Sequence, residues 1–362
     1  MDYLRRIRAL RRQMQLQTVD AVLVTHLPDV RYLCGFTGSN AALAVTSNRA
    51  VMFTDGRYTV QAKEETSGAR VVIAPKSALR EACAWLEASG VARAYFDPEQ
   101  TSVAALSTMR EALSKTKRRS FFYPLEKPLV SALRQVKDAD ELLLMEKAAL
   151  LGCNLFTAML PHIQAGVTER EIASDLEFFA RSLGAEGMSF ETIVASGRRS
   201  ALPHGRPTEA KLPRNGFVTL DFGVILNGYC SDMTRTVYVG KPSRQELLAY
   251  DVVLEAQEQA VAAVRPGVTC GAVDEAARSV LSKAGLAKFF THSTGHGLGL
   301  EIHEQPRVAA KQDTVLQPGM VVTIEPGIYM EGKFGIRIED MVAVTKDGGK
   351  ILTPAPKAMV RL

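Results

Sequence analysis

A length of 362 residues exceeds what one ordinary core carries and predicts two domains. With 46% hydrophobic and 23% charged residues the composition is that of a soluble globular protein, and a net charge of +5 with no basic stripe interleaved with aromatics argues against a nucleic-acid partner. The five cysteines (Cys34, Cys83, Cys153, Cys230, Cys270) are odd in number, widely spaced and form no Cys-x-x-Cys, which argues against a disulfide framework or thiolate zinc site and predicts a reducing compartment, the cytoplasm.

The first predicted element is an amphipathic helix over 4–17. Its apolar residues alternate with Arg5, Arg6, Arg8, Arg11 and Arg12, so it lacks the apolar core of a signal peptide. Strands are predicted at 21–25, 41–45, 50–54, 70–74 and 93–96, with helices near 77–89 and 101–115. Gly-punctuated turns are predicted at 32–40 and 55–58. This is an α/β domain, placed at 1–132, with no acid–base or metal constellation of its own; it is expected to be structural or to wall the site.

The second domain, 133–362, opens on a long helix from Asp138, with acids in its first turn as the helix dipole favours. A helix over 168–183 starts from the capping box Thr168–Glu171. Strands over 190–194 and 217–239 follow. The scheme then repeats, with a helix near 243–264, a break at Pro266-Gly267, a helix after Thr269 and strands from 291 to 344. Gly166-Val167-Thr168 recurs as Gly267-Val268-Thr269, and the stretch at Leu220-Asp221 resembles that at Ile324-Glu325. A duplicated helix–helix–strand–strand unit with its site between the halves fits this pattern, although matches this short also arise by chance. No apolar run is expected to approach membrane-spanning length.

Each half carries an acidic hairpin. Asn227-Gly228 is a strong hairpin signal, and a turn there sets 226 opposite 229 and 221 opposite 234. Asp221 and Asp232 then fall on one face as diagonal neighbours. Taken alone, the pair fits a solvated hairpin equally well. Glu325 and Glu339 lie symmetrically about Gly332 and should face each other across a second hairpin. Two apolar hairpins with paired acids ask for a cation, because buried like charges repel. Of six histidines, His292, His296 and His303 fall close together, with His296 between Gly295 and Gly297, where an unusual backbone and close approach are expected. His204 lies on a turn before the first hairpin. Tyr229 and Arg235 are read first as packing residues and second as supports behind the ligands.

These residues, Pro203-His204-Gly205, Asp221, Asp232 with Thr234-Arg235-Thr236, Thr294 to Gly297, His303-Glu304, Glu325-Pro326-Gly327 and Arg337 to Glu339, closely resemble the pita-bread metallopeptidases over about 135–355. The N-terminal stretches 36–40 and 55–58 resemble the extra domain of the proline-specific branch. The resemblance implies an α/β (α+β) fold, with a creatinase/prolidase-like domain followed by a pita-bread domain of duplicated ααββ halves. It implies two divalent metal ions, Mn²⁺ first and Zn²⁺, Co²⁺ or Fe²⁺ as alternatives. Asp221 and Asp232 would bind one, Glu339 would bridge, and His296 and Glu325 would complete the second. Glu325 would shuttle a proton, His204 and His303 would bind the substrate carbonyl, and His292, Tyr329 and Arg337 would line the substrate site or orient a ligand. The implied activity is that of an Xaa-Pro aminopeptidase on peptides with proline second, acting as a homodimer off the membrane. An Xaa-Pro dipeptidase is the alternative. A metal-free creatinase-like hydrolase and a non-catalytic peptide-binding module fit less well, because both have lost these ligands.

Overall fold

A computed structural model describes all residues, 1–362. The chain divides into two compact units, Met1–Arg134 and Gln135–Leu362. In the first, the elements run α1 (Tyr3–Leu16), β1 (Ala21–Val24), α2 (Leu27–Cys34), β2 (Ala42–Thr46), β3 (Ala50–Asp55), α3 (Gln61–Glu65), β4 (Arg70–Ala74), α4 (Ala78–Ala88), β5 (Ala94–Phe96), α5 (Val103–Glu111), β6 (Phe122–Pro124) and α6 (Val130–Arg134). The six strands form one mixed sheet in the order β4-β3-β2-β1-β5-β6. Phe53, Ala82, Leu86, Phe96 and Met109 are among the residues buried between sheet and helices. The helix α2 was not expected. Pro28 in its first turn hides it from a breaker-based reading, yet proline is tolerated there because those N–H groups have no helical acceptor. The two stretches 36–40 and 55–58 meet: Asn40 donates to Asp55 at 2.5 Å, and the Ser39 and Tyr58 hydroxyls lie 2.6 Å apart.

The second unit begins with α7 (Ala139–Met159) and α8 (Glu169–Ser182). Next come β7 (Gly187–Met188), β8 (Ile193–Ser196), β9 (Gly216–Phe222), β10 (Val224–Leu226), β11 (Tyr229–Cys230) and β12 (Met233–Val239). After α9 (Arg244–Ala263) and α10 (Cys270–Lys283) come β13 (Gly295–Gly297), β14 (Glu304–Val308), β15 (Val321–Ile324), β16 (Gly327–Met330), β17 (Phe334–Arg337), β18 (Asp340–Val344) and β19 (Gly349–Ile351). Contrary to expectation, residues 139–162 are long and apolar enough by composition to cross a membrane. Lys147 and Glu146 interrupt that run without lowering its mean hydropathy enough. The face bearing Met145, Ala149, Cys153 and Phe156 is nevertheless buried in the protein core.

The duplication is visible in hydrogen bonds. Gly166 N–H donates to the Leu212 carbonyl and Leu212 N–H to Val167; Gly267 N–H donates to Leu316 and Leu316 N–H to Val268. Thr168 and Thr269 both N-cap the second helix of their half, through Glu171 N–H and Ala272 N–H. The helix starts correspond at an offset of 101 and the returning residues at 104. Each half has its own core: Phe156, Leu176, Leu220 and Phe222 belong to the first, and Tyr250, Val273, Ile324 and Val342 to the second.

Candidate metal centre

The first hairpin turns at Asn227 (φ 48°) and Gly228 (φ 79°), both in the left-handed region. Leu226 pairs with Tyr229 and Asp221 with Thr234, the expected register. The second hairpin is symmetric about Gly332: Met330 pairs with Phe334, Gly327 with Arg337 and Ile324 with Asp340. Glu325 and Glu339 leave the ladder between those pairs and bond elsewhere. Glu325 N–H donates to the Thr294 carbonyl at 2.7 Å, and Glu339 N–H to the Thr234 carbonyl at 3.1 Å. The second of these bonds joins the two hairpins, reinforced by Thr236 Oγ1, which donates to the Arg337 carbonyl at 2.8 Å.

His296 lies on β13, between β14 and β15. Its flanking glycines do not have positive φ; they permit close approach instead. A Cβ on Gly295 would fall 1.8 Å from the Thr323 carbonyl oxygen, and one on Gly297 2.3 Å from that of Gln305. The His296 Nδ1 lies 3.0 Å from the Gly297 carbonyl, which favours the tautomer with the proton there. Nε2 then presents its lone pair 3.5 Å from Asp232 Oδ2 and 3.6 Å from Glu325 Oε1. Asp232, His296 and Glu339 offer ligand atoms all within 4.8 Å of one another.

Asp221 completes the acidic set. Its Oδ2 accepts from Arg337 Nη2 at 2.6 Å, while its buried Oδ1 has no hydrogen-bond partner. An orphaned buried carboxylate oxygen beside three further acids fits a cation as partner. Burial and mutual repulsion push the Asp232 and Glu339 carboxyls well above the usual range; the Thr234 hydroxyl, donating to Glu339 Oε2 at 2.6 Å, opposes the rise only in part. Burial also pushes Glu325 up, to about 8, against the pull of the Arg337 charge. The donor set, four carboxylates and one imidazole, suits divalent metal ions.

A polar relay surrounds the acids. Arg337 donates to Asp221, to Thr234 Oγ1 at 3.1 Å, to the Pro203 carbonyl at 3.0 Å and to the Tyr329 hydroxyl at 2.6 Å. That hydroxyl lies 2.9 Å from His292 Nε2. Burial, helped by the Arg337 charge, lowers His292 to about 4, so its ring is neutral at pH 7 and Nε2 accepts from the tyrosine. The His303 ring stands edge-on to His296, centroids 4.5 Å apart. His204 is exposed; His303 keeps an edge open to solvent while its ring is partly screened, and that partial burial, then the nearby His204 charge, lowers its pKa. The four acids, His292, His296, His303, Tyr329 and Arg337 thus lie beside one another, with His204 close to His303.

Three supports were missed or underrated in the sequence reading. Arg235 is buried and donates to the Thr234 and Glu339 carbonyls and to Asp340 Oδ1, holding the backbone behind Glu339 rather than merely packing. Asp274 on α10 accepts from Thr294 Oγ1 at 2.7 Å, and Glu169 on α8 holds the segment before β9. Only Arg235, beside Thr234, carried any local signal.

The buried acids set a pH dependence for the metal-stripped protein. Glu325 has a folded-state pKa raised above its unfolded value, so its contribution is fully present below about pH 4.5 and is lost as pH rises through about 8. Chelated protein should therefore melt lower at pH 8 than at pH 5. Excess Mn²⁺ should restore stability at pH 8. Calorimetry with and without metal checks this; equal melting at both pH values would contradict it.

A pocket of paired carboxylates and one histidine, between duplicated halves joined by their hairpins, defines a metallohydrolase of pita-bread architecture. The chain belongs to metallopeptidase family M24, which it matches over residues 143–346, with the creatinase/prolidase N-terminal domain matched over residues 6–136. It is 34% identical over 348 residues to the Xaa-Pro dipeptidase of Pyrococcus horikoshii, covering 96% of both chains. The solved structure of an Xaa-Pro dipeptidase from Bacillus anthracis superposes with a TM-score of 0.95 at 38% identity, covering all of both chains. That of an X-Pro aminopeptidase from Thermotoga maritima gives 0.88 at 36% identity, covering 97% of this chain and all of the other.

Proposed function

We propose that this enzyme hydrolyses the peptide bond between an N-terminal residue and a following proline, with two divalent cations held by Asp221, Asp232, His296, Glu325 and Glu339. The observation that carries the metal reading is the convergence of both acidic hairpins and His296 on one buried pocket. Proline specificity is supported by the named activities of the similar proteins. Mn²⁺ is the first choice of metal, with Zn²⁺, Co²⁺ and Fe²⁺ also suited to these donors.

When bound, the cations would supply Lewis acidity and a water of lowered pKa. Glu325, beside His296, moves the proton from the attacking water to the leaving proline nitrogen. His204 and His303 donate to the substrate carbonyl oxygen as negative charge develops on it. His303, its pKa lowered by burial, does so as a neutral imidazole. Arg337 holds Asp221 in place and fixes the Tyr329 hydroxyl, which in turn orients His292. Proline brings no N–H, so the wall formed by His292, Tyr329 and His303 needs no acceptor for it.

Aminopeptidase and dipeptidase differ in the space beyond the proline, and the named relatives support the dipeptidase at least as well. Metal-depleted enzyme reloaded with Mn²⁺ or Zn²⁺ and assayed on Ala-Pro and Ala-Pro-Ala tests the proposal. Release of alanine from the tripeptide is expected of the aminopeptidase, release from the dipeptide alone of the dipeptidase, and release from neither removes the assignment. We also place the enzyme in the cytoplasm as a homodimer. Five unpaired cysteines favour a reducing compartment, and the resemblance implies the dimer; light scattering showing a monomer would remove the latter.

A further inference from the structure

We propose that Glu169 is the positioning residue of His204: it fastens both ends of the loop that carries the histidine and so sets where the imidazole meets the substrate carbonyl. The inference rests on the substrate-binding role given above to His204. Glu169 is the first residue of α8 and is completely buried. A carboxylate at that depth costs several kcal/mol unless its oxygens are met by donors. Here they are. Oε1 accepts from Ser196 N–H at 2.8 Å and Ser196 Oγ at 3.0 Å. Oε2 accepts from Thr208 N–H at 3.1 Å and Thr208 Oγ1 at 2.9 Å. Arg199 Nε donates to both, at 3.2 and 3.0 Å, and balances the charge.

These contacts are not needed to start the helix. The capping box is complete without Glu169, because Thr168 and Glu171 serve each other. The side-chain partners of Glu169 instead all lie within 196–208: Ser196 at the end of β8, Arg199 in a short 3₁₀ turn, Gly197–Ala201, and Thr208 beyond it. His204 lies between the fastened ends. Along the loop, Arg199 Nη2 donates to the Arg206 carbonyl at 2.8 Å, Gly205 N–H donates to Leu202, and Arg337 reaches the Pro203 carbonyl. Gly205 rests against β8 so closely that a Cβ would fall 2.7 Å from that of Ala195. The imidazole of His204 is exposed, so its placement is inherited from the backbone. A shift on the order of 1 Å in such a group costs about 10²-fold in rate.

The test is a double-mutant cycle on the full-length, Mn²⁺-loaded enzyme, with the better cleaved of Ala-Pro and Ala-Pro-Ala as substrate. Glu169→Gln keeps the volume but turns one accepting oxygen into a donor that opposes Ser196 N–H or Thr208 N–H. It is expected to retain the metal content of the unaltered enzyme and to lower kcat by about 10- to 100-fold, with KM changed less than about threefold. In a His204→Ala background the same substitution should cost less than about twofold. An equal loss in both backgrounds, a loss of metal, or an undiminished kcat would overturn the proposal. If His204→Ala alone keeps full kcat, the role of His204 itself falls and the inference with it. A large loss in His204→Ala with full additivity overturns Glu169 alone. Should Glu169→Gln not fold, Thr208→Val, which removes one hydroxyl donor at the far end of the loop, is read in both backgrounds by the same criteria.

Discussion

Asp232→Asn is expected to lower hydrolysis by about 10³-fold or more and to lose bound metal, while the metal-free protein becomes more stable near neutral pH. The opposite signs have one cause. Burial together with the charges of Glu339, Asp221 and Glu325 raises the Asp232 carboxyl, so its ionised form is resisted by the fold unless a cation is present. Asparagine preserves the shape and removes that penalty, but it also removes an anionic ligand from the group formed with His296 and Glu339. Metal content by plasma emission and melting with and without chelator separate the two effects. Full activity with an unchanged metal content would show that Asp232 is not a ligand; a metal-free variant less stable than the parent would show that the buried acids do not repel as described.

Arg337→Met should have the second largest effect. The guanidinium is buried and forks to Asp221, Tyr329, Thr234 and Pro203, so its removal strands the Asp221 carboxylate and releases the loop of His204. Breaking a buried ion pair from one side costs about 3–5 kcal/mol, and the metal-free protein should lose about that much. Turnover should fall as well, because Tyr329 and through it His292 lose their anchor. Arg337→Lys should recover stability better than activity: one ammonium can face Asp221 but cannot serve four partners in a plane. Denaturant unfolding and kcat on a proline peptide check both variants. A methionine variant as stable and active as the parent would mean that the relay is ornamental.

Much of the site was legible because its signals are local. Asn227-Gly228 sets a register that carries Asp221 opposite Thr234 through the change of strand, and Gly332 does the same for Glu325 and Glu339. The repeated Gly-Val-Thr marks equivalent helix starts, each capped by its threonine. What the sequence hid depends on contacts made at a distance. Arg235 meets Asp340, and Glu169 meets Ser196 and Thr208, across intervals with no periodic pattern. The glycines beside His296 were rightly read as sites of close approach, but nothing local says which carbonyls approach them. The helix α2 was masked by its own proline, and Asp140, Glu141, Glu146 and Lys147 break up the stretch 139–162 for a scan of unbroken apolar runs although its mean hydropathy is high.

The comparison of kcat/KM for the better cleaved of Ala-Pro and Ala-Pro-Ala with that for its all-alanine counterpart, on chelated enzyme and on the same enzyme reloaded with Mn²⁺, tests the central claim most directly. Metal-dependent hydrolysis of both a tertiary and a secondary amide would already fit a general peptidase, so the ratio decides. The account predicts no turnover without metal and, with metal, a preference for the proline peptide of about 100-fold or more, the discrimination expected of a pocket shaped around one ring. Turnover that survives chelation, or an equal or higher kcat/KM for the all-alanine peptide, would contradict it.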